Sequence, residues 1–154
     1  MPDNQAQSTP TPDTHRRMTA SARPVAGGLA HVVDVNGRHA LITDEPLTLG
    51  GTDRGPAPHE LLVATLASCV ATMMALYARN RGWDLGSASV DVAYDPDGSP
   101  RRFEINLHMP DGLSDEQKRR LERVAATCPV RRALEAGFEF EERTLSPAPE
   151  VRAA

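Results

Sequence analysis

Between Leu61 and Ala78 the chain runs for eighteen residues without one charged side chain. Few folds accommodate such a stretch. A helix that is apolar on every side must be wrapped by protein or by lipid. Its length touches the lower limit for a membrane span. Thr65, Ser68, Thr72 and several alanines interrupt it, and amphipathic strand patterns flank it on both sides. The core helix of a soluble protein is therefore expected, over about His59–Arg81 with Gly82 as its stop. Ala64, Ala67, Ser68, Ala71 and Ala75 would let another helix approach closely. One small sheet cannot cover so apolar a helix, so a second subunit is expected to help bury it.

The other segments have shorter periods. Leu29–Val35 and Arg38–Thr43 flank Asn36-Gly37, a strong two-residue hairpin signal. A two-residue turn predicts the pairs Val35 with Arg38, Val33 with Ala40 and His31 with Ile42. It puts Val33, Val35, Arg38, Ala40 and Ile42 on one face. Arg38 would then point toward the core side, or its stem would snorkel to water at the sheet edge. Gly50–Pro58 reads as a loop without phosphate-binding glycine spacing. Ala88, Val90, Val92 and Tyr94 alternate with polar residues, as do Phe103, Ile105, Leu107 and Met109, with a turn over Asp95–Pro100. His108 falls on their polar face. Ser114 and Gln117 form a capping box that opens a helix to about Thr127. Pro129 starts a short helix to about Ala136, and Phe138 with Phe140 begins a last strand. Strands, long helix, strands, helix and strand make an α+β fold with antiparallel sheet.

A chain of 154 residues suggests one domain, expected over 25–145. Residues 1–24 have no aromatic side chain and four prolines, and read as a disordered tail. Residues 146–154 read as a loose C-terminal tail. Scattered basic residues and 4% aromatics give no nucleic-acid signature. Two cysteines without a secretory signal suggest a reducing, cytoplasmic setting, in which a disulfide would be transient and catalytic.

Those two cysteines are the candidate chemistry. Cys69 sits inside the apolar stretch, where burial favours the neutral thiol. Cys128 precedes Pro129, so it is expected to face free N–H groups at a helix start, which favours thiolate. One hidden and one primed thiol fit a redox pair. Two unrelated core cysteines fit the same pattern. His31, His39, His59 and His108 show no metal-ligand spacing with either thiol, so no metal is expected.

Gly55-Pro56-Ala57-Pro58-His59-Glu60-Leu61-Leu62, then Cys69, then Cys128-Pro129-Val130 before a short helix resemble the OsmC/Ohr family. The similarity covers roughly Leu29 to Leu145. It implies an intertwined homodimer with two long helices packed between sheets formed by both chains. It also implies a cysteine-based peroxidase that reduces small organic hydroperoxides. By that pattern Cys69 attacks, Cys128 resolves, and an arginine at the place of Arg38 activates the attacking thiol. No metal or bound cofactor is implied, and electrons come from an external dithiol such as a lipoylated protein. Well-studied peroxidases of the family read Asn-Pro-Glu before the long helix, and that glutamate holds the arginine. Here His59 stands at that place and Glu60 one step later, so one of the two is expected to orient Arg38. Glu60 is nine residues from Cys69, roughly 13 Å along a helix and on its opposite side. Neither therefore reaches Cys69 along the helix. An OsmC-fold binding module, or a thiol oxidoreductase without peroxide turnover, remain the alternatives.

Overall fold

A computed structural model of the protein describes residues 17–146. Of the tails expected at 1–24 and 146–154, residues 1–16 and 147–154 lie outside the described residues. The chain divides into two units, one ending at Leu61 and the other beginning at Leu62.

The first unit holds a three-stranded antiparallel sheet in the order β1 (Ala20–Pro24), β2 (His31–Val35), β3 (His39–Thr43). Strand β1 lies inside the segment expected to be a tail. It is fully exposed and poor in apolar residues, so composition hides it; backbone pairing with β2, Ala20 opposite Val35 through Pro24 opposite His31, makes it. The β2–β3 turn corrects the predicted register. Asn36 and Gly37 both take positive φ, 56° and 64°, and Arg38 N–H donates to Val35 O at 3.2 Å, as an Asn-Gly turn requires. The ladder then pairs Val35 with His39, Val33 with Leu41 and His31 with Thr43. Arg38 is an extra residue inserted between turn and ladder, a bulge-like offset of one. A slip of one exchanges faces, so Arg38 does not share a face with Val33 and Val35; it is exposed in the turn.

A 3-10 turn (Leu47–Leu49) and a loop lead to helix α1 (Pro58–Arg79). Asp44, buried at the end of β3, organises this loop. Its carboxylate accepts from Glu45 N–H, Thr52 N–H, Arg54 N–H and, at 2.6 Å, the Thr52 hydroxyl. The Thr52 hydroxyl leads these bonds in holding the Asp44 pKa below the usual carboxylate value, against the opposing effect of burial.

The second unit carries the core. Helix α1 turns Leu66, Val70, Met74 and Ala78 inward, one residue every fourth position, each at most 1% exposed. Strands β4 (Ser89–Asp95) and β5 (Arg102–His108) pair antiparallel, Val92 opposite Ile105, with alternate residues half-buried against that stripe. Helices α2 (Asp115–Ala125) and α3 (Pro129–Ala136) add Leu121, Ala125, Val130 and Leu134. The Ser114–Gln117 capping box is present at α2. Trp83 N–H to Ala78 O and Gly82 N–H to Arg79 O close α1 as a Schellman turn. Arg81 covers it, its guanidinium 3.7 Å above the Tyr77 ring. His108 is solvated and bridges to Asp91 at 2.7 Å.

Two expectations change here. Helix α1 is covered on one stripe only: Ala64, Ser68, Ala71, Thr72, Ala75 and Leu76 are exposed. By length and composition it could cross a membrane, but its buried stripe packs on strands and helices. Residues 137–146 form no strand; Phe138 and Phe140 are 60% and 87% exposed. Their alternation is strand-like, but within the described residues no neighbouring backbone pairs with it.

Candidate thiol site

Both thiols belong to the second unit and are free. Cys69 lies three residues after Leu66, just beside the buried stripe, and is half-buried. Cys128 is the N-cap of α3 (φ −51°, ψ 127°), with Pro129 at the first helical position. The turn is fixed by Cys128 N–H to Ala125 O at 3.2 Å and Arg132 N–H to Cys128 O at 3.0 Å. Proline has no N–H to offer, so Val130 provides the first free donor of the helix.

The structure exchanges the burial expected of the two thiols. Cys128 is fully buried and its side chain caps nothing. The free Val130 N–H points to Cys69 instead. Desolvation pushes the Cys69 thiol above its ordinary pKa, a hydrogen bond from the Cys69 S–H to Cys128 adds to the rise, and Val130 N–H opposes it. The two thiols are therefore neighbours, Cys69 packing on the buried cluster that contains Cys128. Nothing in the spacing from 69 to 128 announces this; the kink at Pro129 brings the start of α3 onto α1. At rest Cys69 is held toward its neutral thiol form. Within this unit no cation is among the causes of the Cys69 shift. Arg131, one turn into α3, is occupied by Glu135, Nε to Oε1 at 2.8 Å.

The other candidates sit in the first unit. Glu60 is in the first turn of α1, where its carboxylate accepts Ala57 N–H at 2.8 Å and caps the helix. His59 is exposed beside it. Among the described residues Arg38 and Glu60 form no ion pair with each other. Sequence reasoning missed two features. One is the Val130 N–H, a backbone group whose signal is the Cys-Pro-Val order itself. The other is the Asp44–Thr52 knot, which has no local signature. Among the described residues no three His, Cys, Asp or Glu side chains gather as a metal site would need.

A family model described as OsmC-like protein matches residues 51–143. No curated protein matches the chain. Among solved structures, a protein of Psychrobacter arcticus 273-4 assigned to osmotic stress induction and detoxification response is 26% identical, with a TM-score of 0.63 over 74% of this chain and 85% of that one. An organic hydroperoxide resistance protein OsmC of Legionella pneumophila is 23% identical, with a TM-score of 0.52 over 77% and 88%. An organic hydroperoxide resistance protein of Elizabethkingia anophelis is 23% identical, with a TM-score of 0.56 over 78% and 89%. The last two share the fold.

Proposed function

Because the chain belongs to the family of OsmC-like proteins, we propose that it is a cysteine-based peroxidase that reduces organic hydroperoxides. The observation that carries this is that the half-buried Cys69 packs against the core cluster that holds the fully buried Cys128. The Cys69 thiolate attacks one oxygen of the peroxide. The O–O bond breaks, the alkoxide leaves and takes a proton as alcohol, and Cys69 becomes a sulfenic acid. The Cys128 sulfur then attacks the Cys69 sulfur and water leaves, giving a disulfide. An external dithiol restores both thiols and is itself oxidised.

The step that needs help is formation of the thiolate, since burial opposes it. In this proposal Arg38 is the cation, a role carried over from the family resemblance and not from its place on the sheet. Arg38→Met is expected to move the pH profile of Cys69 alkylation further upward, measured in a Cys128→Ser background, and to slow reaction with peroxide. A raised pKa means that the thiolate gains population only as pH climbs past the ordinary thiol range, so alkylation accelerates with pH. An unchanged profile would assign the activating cation to another residue, with Arg54 and Arg131 next.

The proposal includes a homodimer. The support is the outer face of α1, apolar and exposed in the single chain, and the unpaired Phe138–Phe140 segment, which has the alternation of a strand seeking a sheet edge. Sedimentation at low micromolar concentration is expected to give twice the chain mass, with no folded monomer on dilution. A well-folded monomer would remove the architecture.

A second reading, a binding module that kept the fold and lost turnover, is favoured by one observation: Glu60 is engaged with Ala57 N–H and not with Arg38. Stoichiometric alkyl hydroperoxide decides between them. Loss of both thiols to a thiol reagent supports the peroxidase, and retention of both supports the binding module. Oxidation by disulfides alone supports a thiol oxidoreductase.

A further inference from the structure

Helix α3 begins on a poor cap. The residue before a helix usually offers a side-chain oxygen to the N–H of the second or third helical residue, and serine, threonine, aspartate and asparagine are strongly preferred there. Position 128 has a cysteine instead, and its side chain makes no capping bond. Pro129 removes the first N–H, so Val130 and Arg131 carry the first two donors of α3. Val130 N–H has no carbonyl within α3 to reach, and it meets no backbone acceptor elsewhere among the described residues. Its acceptor is the Cys69 sulfur. Cys69 and Val130 both pack on the cluster that holds the fully buried Cys128. A donor that a good cap would occupy is thus left to a side chain on another helix.

That donor matters because little else in this unit favours an anion at Cys69. Strands β4 and β5 and helix α2 turn apolar residues toward the cluster, among them Val92, Phe103, Ile105 and Leu121. Of the titratable groups in this unit only Cys128 acts on Cys69, and it opposes ionisation. Arg131 of α3 is held by Glu135. A sulfur accepts an N–H more strongly as thiolate than as thiol, because the charge strengthens the bond. The Val130 N–H therefore favours the nucleophilic form.

We propose that the Val130 N–H is the hydrogen-bond donor of the Cys69 thiolate, and that Cys128 keeps it available by failing to cap α3. Cys128 is then a positioning residue before it is a resolving one. A hydroxyl at the place of its sulfur would be a much better cap. It would also be fully buried beside Cys69, where an unpaired hydroxyl is costly. The Val130 N–H already lies on that side of the helix start. Residue 128 thus decides where the donor goes: cysteine leaves it to Cys69, and serine takes it. The consequence for peroxide reduction rests on the peroxidase reading; the consequence for thiol reactivity does not.

The test compares Cys128→Ser with Cys128→Ala. Both lose the second thiol, so the effect of Cys128 on Cys69 cancels between them, and only serine can cap. Alkylation of Cys69 by iodoacetamide at neutral pH is expected to be roughly tenfold or more slower in Cys128→Ser, the size of one hydrogen bond to a charged group. Its pH profile is expected to lie higher there, because the bond that favours the thiolate is lost. A second measurement uses the unaltered full chain and needs no variant to fold. The Val130 amide proton resonance is expected to move with pH in step with Cys69 alkylation, since its acceptor changes charge. That movement is expected to persist in Cys128→Ala and to vanish in Cys128→Ser. Equal alkylation rates, as when the serine caps Arg131 instead, or a faster rate in Cys128→Ser overturn the proposal. A Val130 resonance that ignores the titration in the unaltered protein does the same, and each of these leaves the peroxidase intact. The expected contrast without hydroperoxide consumption by the unaltered protein would support the donor and defeat the peroxidase reading.

Discussion

Cys69→Ser is expected to reduce hydroperoxide consumption by roughly 10⁴-fold or more, to the rate of peroxide alone in buffer. Serine is close in size, and the position is half-buried beside a stripe of larger side chains, so the fold is expected to survive. What is lost is the atom: a hydroxyl near neutral pH is neither ionised nor a soft nucleophile toward an O–O bond. Cys128→Ser is expected to behave differently. It keeps the attacking sulfur, so each chain should consume one equivalent of peroxide and stop at sulfenic acid, which then advances to sulfinic acid under excess peroxide. Single-turnover peroxide assays with mass spectrometry of the products separate the two. If Cys69→Ser reacts and Cys128→Ser does not, the roles are exchanged, against the burial of the two thiols.

Gly51→Ala is expected to have the largest effect on stability away from the thiols. A Cβ at residue 51 would stand 1.8 Å from Glu45 O and 2.4 Å from its carbonyl carbon. These are backbone atoms, and Glu45 N–H is itself held by Asp44. Relief therefore requires the loop to open, which breaks the bonds from Thr52 and Arg54 to Asp44. A loss of roughly 3 kcal/mol or more is expected, with melting lowered by roughly 10 °C. Gly50→Ala is the internal comparison. Gly50 has φ 85° but open space where a Cβ would go, so only the left-handed conformation is penalised, about 1 kcal/mol. Amide exchange at Thr52 and Arg54 reports the loop directly. Protected amides and unaltered melting in Gly51→Ala would show that the loop closes in another way.

The contrast between what could and could not be read in the chain follows from range. Local rules worked where both partners lie within a few residues: the Ser114–Gln117 box, Gly82 as the end of α1, Pro129 as the start of α3, the alternation in β4 and β5. Asn36-Gly37 correctly marks a turn, but register depends on how many residues enter the ladder, and one extra residue at Arg38 moved every pair. The two sulfurs show the same limit. Pairing them rested on chemistry plus resemblance, whereas which one is buried depends on how α3 leans on α1. The order of Cys128 and Pro129 announces a helix start with free N–H groups facing Cys128; that the Val130 N–H instead meets Cys69, far earlier in the sequence, is not written in that order. The Asp44 knot joins residues eight and ten positions apart through a loop of no fixed pattern. At Phe138 and Phe140 the pattern of a strand exists without a neighbour, because a strand is completed by another backbone and not by its own sequence.

In the proposed cycle, the unequal burial of the sulfurs also imposes a direction on the return half. Once joined, the two sulfurs are chemically similar, but an incoming thiolate must approach along the S–S axis and can reach only the one with open space behind it. Cys128 is fully enclosed as the N-cap of α3, so it can only be the leaving group. The reductant is then expected to be bonded to Cys69 in the mixed disulfide, with Cys128 departing as the thiolate. Regiochemistry of this kind gives a handle on the unknown electron donor: Cys128→Ser, oxidised to sulfenic acid, has no internal thiol left to compete and retains the donor covalently on Cys69.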